Sequence, residues 1–153
     1  MKSLELKIPP PLVALLIATA MWGVAQISPV LDFAALYRVS AAIAIAIIGG
    51  GFSIAGVIAF RQARTTVNPL KPESTSALVS LGVYRITRNP MYVGMLLAVL
   101  AWAVFLAAPW ALIGPVAFHL YIGRFQIAPE EAVLTKLFGA EYVAYKTEVR
   151  RWL

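Results

Sequence analysis

Four long apolar runs divide the chain, and shorter polar stretches lie between them. The runs cover residues 12–27, 36–60, 91–107 and 110–125. A transmembrane helix needs roughly 20 mostly apolar residues, so each run is a candidate span. Only Ala108-Pro109 separates the last two runs, which predicts a helical hairpin. We therefore predict an all-α fold: a polytopic membrane helix bundle with about four transmembrane helices, forming a single domain over 1–153.

The polar connection over 61–90 is the longest in the chain. It contains the turn signals Asn68-Pro69 and Lys71-Pro72. Loops of this length inside a compact domain are usually functional or disordered. The apolar and aromatic residues after Ser76 argue against disorder. We therefore interpret 61–90 as a ligand-binding loop.

The C-terminal stretch, 129–151, begins with Pro129 followed by Glu130 and Glu131. A proline at the first helical position with acids in the first turn is a typical helix start. Gly139 is a natural helix stop, so we predict two short helices. We expect both to pack on the cytoplasmic side of the bundle.

Composition and charge support a membrane protein. The chain is 61% hydrophobic and 13% charged, whereas soluble domains carry about 25% charged residues. Its net charge is +6, and of its 13 Lys and Arg residues only Arg38 falls on the side away from the termini. The positive-inside rule then places both termini in the cytoplasm and the chain in the inner membrane. Such basic residues predict lipid head groups, and not nucleic acid, as their partners.

Two further features of the composition bear on partners. The chain has one histidine and no cysteine, so no metal site is predicted. The second apolar run is rich in small residues and contains Gly49-Gly50-Gly51. Small residues let membrane helices approach closely, within one bundle or across a homo-oligomer, and we leave both arrangements open.

The segment Arg88-Asn89-Pro90-Met91-Tyr92-Val93-Gly94 leads into the third run and is the first candidate for chemistry. A proline at a helix start leaves the amide groups of the next turn available to an anion or a carboxylate. An aromatic face such as that of Tyr92 suits a sulfonium or quaternary ammonium cation. The ordinary structural interpretation is a capped helix with positive-inside arginines and an interfacial tyrosine.

Glu130 and Glu131 lie close to the predicted membrane surface and are the second candidate. Their ordinary role is to complement the helix dipole. Their functional role would be to bind a polar or cationic ligand near Arg88 and Tyr92. Successive helical residues point about 100° apart, so we expect only one glutamate to face the site, and we favour Glu130.

Arg124 ends the fourth run and has three interpretations. It can reach lipid phosphates, stabilise an anionic substrate, or pair with Glu130 or Glu131. We take Arg124 and Glu131 as the candidate catalytic residues.

Together these residues resemble the isoprenylcysteine carboxyl methyltransferase and phospholipid N-methyltransferase superfamily. That family carries an Arg-His-Pro-x-Tyr-x-Gly element, which 88–94 matches at every position except the histidine. It also carries a Glu-Glu pair followed by Leu-x-x-x-Phe-Gly-x-x-Tyr-x-x-Tyr-x-x-x-Val. The chain has the corresponding residues Glu130, Glu131, Leu134, Phe138, Gly139, Tyr142, Tyr145 and Val149. The match covers about half of the chain, residues 76–151.

The resemblance implies an S-adenosylmethionine cofactor bound at the cytoplasmic membrane face. It implies that the backbone of Ala77, Leu78 and Val79 contacts the adenosyl end, with Tyr84 alongside. The amino-acid end would be held by the segment after it, with Glu130 closing the site. The residues implied there are Arg88, Asn89, Pro90, Met91 and Tyr92.

Asn89 stands where the family pattern has histidine. If that histidine orients the cofactor, asparagine can replace it, because its amide both donates and accepts hydrogen bonds. If it acts as a base, the role is lost here. The resemblance implies in-line methyl transfer to a small lipophilic or lipid-like substrate. The alternative is a non-enzymatic membrane scaffold or subunit in which the same motifs serve packing.

Overall fold

The fold is entirely helical in the ranges that the computed structural model describes, residues 5–63 and 77–153. Helices account for 78% of the described residues, and the predicted all-α class is confirmed. These two ranges contain five α-helices: α1 Pro10–Gln26, α2 Ala35–Gln62, α3 Pro90–Leu106, α4 Ile113–Ile122 and α5 Ala128–Glu148. The turn signals at Asn68-Pro69 and Lys71-Pro72 lie outside the described residues.

Prolines and one left-handed residue set the helix ends around the apolar runs. Proline occupies the first turn of α1 and of α3, where its missing N–H costs no helical hydrogen bond. Ala107 then ends α3 in the left-handed conformation, with φ of 51°. A 3₁₀ turn over Pro109–Leu112 leads directly into α4, which gives the tight hairpin that Ala108-Pro109 predicts.

The helical path does not stop between α4 and α5, although the sequence predicts a break between 125 and 129. A π-helical turn over Gly123–Ile127 joins the two helices. Pro129 has no N–H to donate to the carbonyl of Phe125, four residues earlier. The N–H of Leu6 donates to that carbonyl instead, at 3.1 Å. This bond satisfies the backbone group that proline leaves open, so the chain passes through without a loop.

The predicted break at Gly139 is present as a kink inside α5. Gly139 has φ of 53° and ψ of −125°, a conformation that a side chain disfavours. The half of α5 after the kink places Tyr142, Tyr145 and Val149 in one buried cluster with Leu78.

Helices α2 and α3 pack closely through glycines. A Cβ atom added at Gly49 would lie 2.8 Å from the carbonyl oxygen of Gly94. A Cβ atom at Gly56 would lie 2.9 Å from Cγ of Met91. Such distances are shorter than van der Waals contact, so only glycine permits this approach. The contact fixes the beginning of α3, where the candidate site lies.

The outer surface of the bundle is apolar. Leu15 on α1, Ile47 on α2 and Leu120 on α4 are each more than 60% exposed. Apolar surface on this scale marks contact with a membrane or a partner. Within the described ranges, α2 is the one helix that meets both the length and the hydropathy expected of a membrane span. Helices α1 and α3 are apolar but have 17 residues each.

Candidate active site

Tyr92 and Glu130 meet where α3 and α5 begin. The Tyr92 hydroxyl donates a hydrogen bond of 2.5 Å to Oε1 of Glu130. Tyr92 is buried and Glu130 is partly buried. Pro90 begins α3, which places Tyr92 in the first turn of the helix with its hydroxyl directed at α5. The two motifs that the sequence separates by 38 residues therefore share one polar contact.

The carboxyl group of Glu130 titrates far from its usual range. Burial raises the pKa of Glu130 to about 8, the hydrogen bond from Tyr92 opposes the rise, and the neighbouring charge of Glu131 adds to it. Burial disfavours the charged form of a carboxylate unless a cation lies close by. In the described residues, both ion pairs of this region go to Glu131. Glu130 is therefore suited to accept a cationic ligand.

Glu131 is buried between two arginines. Nη2 of Arg88 lies 3.1 Å from its Oε1. The Arg151 guanidinium approaches from the other side, with Nη2 2.6 Å from Oε2 and Nε 3.1 Å from Oε1. The hydrogen bonds that Arg151 donates to Glu131 also raise the pKa of Arg151. This two-point contact fixes the carboxylate plane as well as its charge.

The C-terminal residues 150–152 act as a clamp on the loop before α3, and we call them the C-terminal clamp. The carbonyl of Arg150 accepts the N–H of Arg88 at 2.9 Å. The carbonyl of Arg151 accepts Nδ2 of Asn89 at 2.8 Å and Oγ1 of Thr87 at 3.3 Å. The ring of Trp152 packs 4.6 Å from that of His119 on α4. The end of the chain thus ties the loop, α5 and α4 together.

Part of the Arg88 guanidinium is left without a partner. Nε and Nη1 of Arg88 are buried and form no hydrogen bond in the part of the chain that the structure describes. Buried donors normally have an acceptor, so each exception needs an explanation. An anionic ligand group beside Arg88 would supply the acceptor.

The segment Ala77–Val79 and Tyr84 border the same region. Leu78 packs against the cluster of Tyr142, Tyr145 and Val149. The Tyr145 hydroxyl donates to the Tyr84 carbonyl at 2.7 Å. Burial raises the pKa of Tyr84, and the charges of Tyr145 and Glu130 raise it further. Tyr84 therefore lies close enough to Glu130 for their charges to interact, and it stays a neutral phenol.

The remaining predicted site residues are Pro90, Met91 and Arg124, and they have different surroundings. Pro90 is buried in the first turn of α3, and Met91 packs against Gly56 of α2. Arg124 is half-exposed, and its Nη1 pairs with Oε1 of Glu5 at 3.1 Å. The structure thus gives Arg124 the N-terminal acid as its partner, and not Glu130 or Glu131.

Sequence reasoning missed Thr87 and Arg151. Thr87 is fully buried beneath the clamp, and Arg151 holds Glu131. The positive-inside rule explains every arginine near a membrane surface in the same way, so it gave no reason to expect that Arg151 binds Glu131. The one available signal was the proximity of Arg150-Arg151 to the second motif along the chain.

Comparison with known proteins identifies the family. The family model described as phospholipid methyltransferase matches residues 37–141, more than half of the chain. A protein-S-isoprenylcysteine O-methyltransferase of Arabidopsis thaliana is 32% identical over 106 residues, 67% of this chain and 52% of that protein. The corresponding enzyme of Saccharomyces cerevisiae is 35% identical over 82 residues, 52% of this chain and 33% of the enzyme. An uncharacterized protein of Haemophilus influenzae is 49% identical over 63 residues, 41% of this chain and all of that protein.

The chain spans about half the length of the plant relatives and a third of the yeast relative. No solved structure matches it significantly. The resemblance in the two motifs is confirmed by the family match over α2 to α5: the chain belongs to the phospholipid methyltransferase family, in the superfamily of the isoprenylcysteine carboxyl methyltransferases.

Proposed function

We propose that the protein is an integral membrane methyltransferase that uses S-adenosylmethionine and methylates a small lipophilic or lipid-like substrate. The single observation that carries this proposal is the Tyr92–Glu130 pair lying in the same helix-end region as the unpartnered donors of Arg88. Family membership supports the reaction class, because the named plant and yeast relatives are O-methyltransferases.

The residues present fit the charges of the cofactor. S-adenosylmethionine carries a carboxylate, an ammonium and a sulfonium group. Nε and Nη1 of Arg88 are buried donors suited to the carboxylate. Glu130 is a carboxylate without a cationic partner among the described residues, suited to the positive groups. The backbone of Ala77–Val79 would hold the adenosyl end.

The chain's own residues position the reactants and exclude water. The cofactor supplies a methyl group that its sulfonium makes electrophilic without a metal. Glu130 orients the cationic end, and the Tyr92 hydroxyl in turn orients Glu130. Glu131, held by Arg88 and Arg151, is a positioning residue in this scheme and not a catalytic one. Alignment of this kind can supply much of the rate of a bimolecular reaction.

The acceptor enters from the membrane. The exposed apolar faces of α1, α2 and α4 make lateral access from lipid the natural route. The names of the relatives favour an oxygen acceptor, such as a carboxylate on a prenylated group. A carboxylate acceptor needs no general base, which agrees with a site where Glu130 and Glu131 are the acids found among the described residues.

We further propose four membrane spans with both termini in the cytoplasm of an inner membrane, formed by α1, α2, α3 and α4 with its π turn. The asymmetric placement of arginines supports this topology. The chain has no cysteine, so single cysteines at Ser28 and Leu153 test it directly. A membrane-impermeant maleimide should label Ser28→Cys from outside the cell and leave Leu153→Cys unlabelled. Labelling of Leu153→Cys but not of Ser28→Cys would show that the protein has the opposite orientation in the membrane.

The activity is tested with purified protein in lipid nanodiscs and S-adenosylmethionine labelled in its methyl group. A farnesylated N-acetylcysteine and phosphatidylethanolamine serve as alternative acceptors. We expect transfer to one of them and a large loss in Tyr92→Phe, with helix content unchanged. A folded wild-type protein that transfers to neither acceptor and binds no cofactor would favour a membrane scaffold.

A further inference from the structure

A pocket lies at the end of the bundle opposite the Tyr92–Glu130 site, where α3 ends and α2 begins. Its volume is about 300 Å³. Apolar side chains and Arg38 line it, among them Leu31, Phe33, Ala41, Val104 and Leu112. Ala103, also in its wall, follows Tyr92 by eleven residues of α3, which is about 16 Å along the helix axis. The pocket is therefore separate from the Tyr92–Glu130 site.

Arg38 is the cation of this pocket. Its Nε atom is buried and has no hydrogen-bond partner within the described ranges. Its guanidinium carbon lies 5.7 Å from the centre of the Phe105 ring, a cation–π contact that supplies no hydrogen-bond acceptor for Nε. Asp32 is the nearest acid along the chain, and no ion pair joins it to Arg38 among the residues described. Arg38 is partly buried, and an anion would supply the acceptor that its buried Nε donor lacks.

The start of α2 adds to the positive potential around Arg38. The helix begins at Ala35 without a side-chain cap and without an acidic residue in its first turn. Uncapped amide groups and the helix dipole both favour an anion at this end. Arg38 itself stands in that first turn, so its charge and the amide groups act on the same region.

The geometry points to an anionic phospholipid of the surrounding bilayer as the occupant. Its phosphate would lie between Arg38 and the start of α2, and one acyl chain would fill the apolar pocket. The rim residues Phe33 and Tyr37 are more than 60% exposed, so the pocket opens towards lipid. A free inorganic anion would leave the apolar walls unfilled. A zwitterionic lipid would bring a second cation towards Arg38.

Native mass spectrometry of the purified protein with phosphatidylglycerol or phosphatidylcholine of identical chains tests this proposal. We expect one tightly retained phosphatidylglycerol, bound about fivefold more strongly than phosphatidylcholine, as one basic residue near the surface provides. Arg38→Gln should bind phosphatidylglycerol no more strongly than phosphatidylcholine, and Arg38→Lys should keep the preference. Ala41→Trp should abolish retention, because Ala41 lines the pocket and a large ring would fill it.

Arg61→Gln is the matched control, since Arg61 lies in the last turn of the same helix and carries the same charge. It should keep the preference for phosphatidylglycerol. Equal retention of the two lipids by the wild type would overturn the proposal without any variant. An undiminished preference in Arg38→Gln, or a dimer that covers the pocket and excludes lipid, would overturn it as well. Thermal melting of each variant establishes that it is folded.

Discussion

The Tyr92 hydroxyl and Oε1 of Glu130 lie 2.5 Å apart, so the first turn of α3 is joined to the first turn of α5. Tyr92 donates and Glu130 accepts, which leaves the second carboxylate oxygen of Glu130 available to a ligand. The neighbouring Glu131 is already held by two arginines. The two adjacent acids thus have different surroundings: a tyrosine hydroxyl binds Glu130, and two arginines bind Glu131. In the proposed function, Glu130 binds the cofactor and Glu131 holds the surrounding structure in place.

Cofactor affinity should depend on pH through Glu130. Its pKa is raised to about 8, so at pH 6 to 7 the carboxyl is mostly protonated and offers no charge to a cation. The dissociation constant of S-adenosylmethionine should fall by up to about tenfold per pH unit as pH rises towards 8. Calorimetry at several pH values measures this. The dependence should vanish in Glu130→Gln, and a pH-independent wild type would contradict the assignment.

Replacement of Glu130 by glutamine should stabilise the protein at high pH. An acid whose pKa is higher in the folded state favours folding less as pH rises from its unfolded value of about 4.5 towards 8. Glutamine removes this penalty and still accepts the Tyr92 hydroxyl. The melting temperature of Glu130→Gln should match the wild type near pH 4.5 and exceed it by several degrees at pH 9. A lower melting temperature at pH 9 would show that the Glu130 charge stabilises the fold.

Arg151 should matter more than its neighbour Arg150. The Arg151 side chain is 42% exposed but makes two contacts with Glu131, whereas Arg150 contributes a backbone carbonyl. We expect Arg151→Gln to cost about 1–2 kcal/mol of stability, between the values for exposed and buried ion pairs. It should also weaken cofactor binding, because the loop before α3 loses its clamp. Arg150→Gln should leave both quantities unchanged, and equal effects of the two variants would exclude a specific clamp.

Asn89 acts as a donor to the C-terminal clamp in this structure. Its Nδ2 atom donates to the Arg151 carbonyl, which Thr87 also approaches. Asn89→Asp replaces the donor by a carboxylate, and we expect a loss of about 1 kcal/mol, because Thr87 still serves the carbonyl. Asn89→His keeps an N–H donor and should stay close to the wild type in melting and in cofactor binding. A stronger defect in the histidine variant than in the aspartate variant would contradict this role.

Gly94 should not tolerate a side chain. A Cβ atom there would lie 2.5 Å from the carbonyl oxygen of Gly49 and would also strike Ser53 on α2. We expect Gly94→Ala to destabilise the protein by about 1–3 kcal/mol through overpacking. Gly50→Ala is the control on the same helix pair, because nothing lies within 4 Å of its added Cβ atom. Thermal melting should separate the two, and equal melting temperatures would show that α2 and α3 do not pack as described.

The apolar runs predicted where helices form, because each run must be buried in lipid or protein as a unit. Helix α2, Ala35–Gln62, extends only one residue before and two after the predicted 36–60. The junction of α4 and α5 was not predictable, since it depends on Leu6 reaching the Phe125 carbonyl from a distant part of the chain. Local sequence carries no trace of such a contact.

The candidate site, like the fold, could be predicted from the sequence only in part. The motifs predicted that Glu130, more than Glu131, would face Tyr92, and the hydrogen bond between them agrees with this. The roles of these residues in cofactor binding stay predictions. Arg124 pairs with Glu5, which lies far away along the chain. Arg151 pairs with Glu131, but its neighbour Arg150 is the same residue type, so the sequence does not tell which of them forms the pair. Only the folded arrangement distinguishes them.

The most direct test is calorimetric binding of S-adenosylmethionine and S-adenosylhomocysteine to the purified protein in nanodiscs at pH 8. Glu130→Ala is compared with Glu141→Ala, which removes an exposed acid from the same helix. We predict saturable binding in the micromolar range to the wild type and to Glu141→Ala, and binding about ten- to hundredfold weaker to Glu130→Ala. The absence of saturable binding to a folded wild type, or equal affinity of the two variants, would contradict a cofactor site at Tyr92 and Glu130.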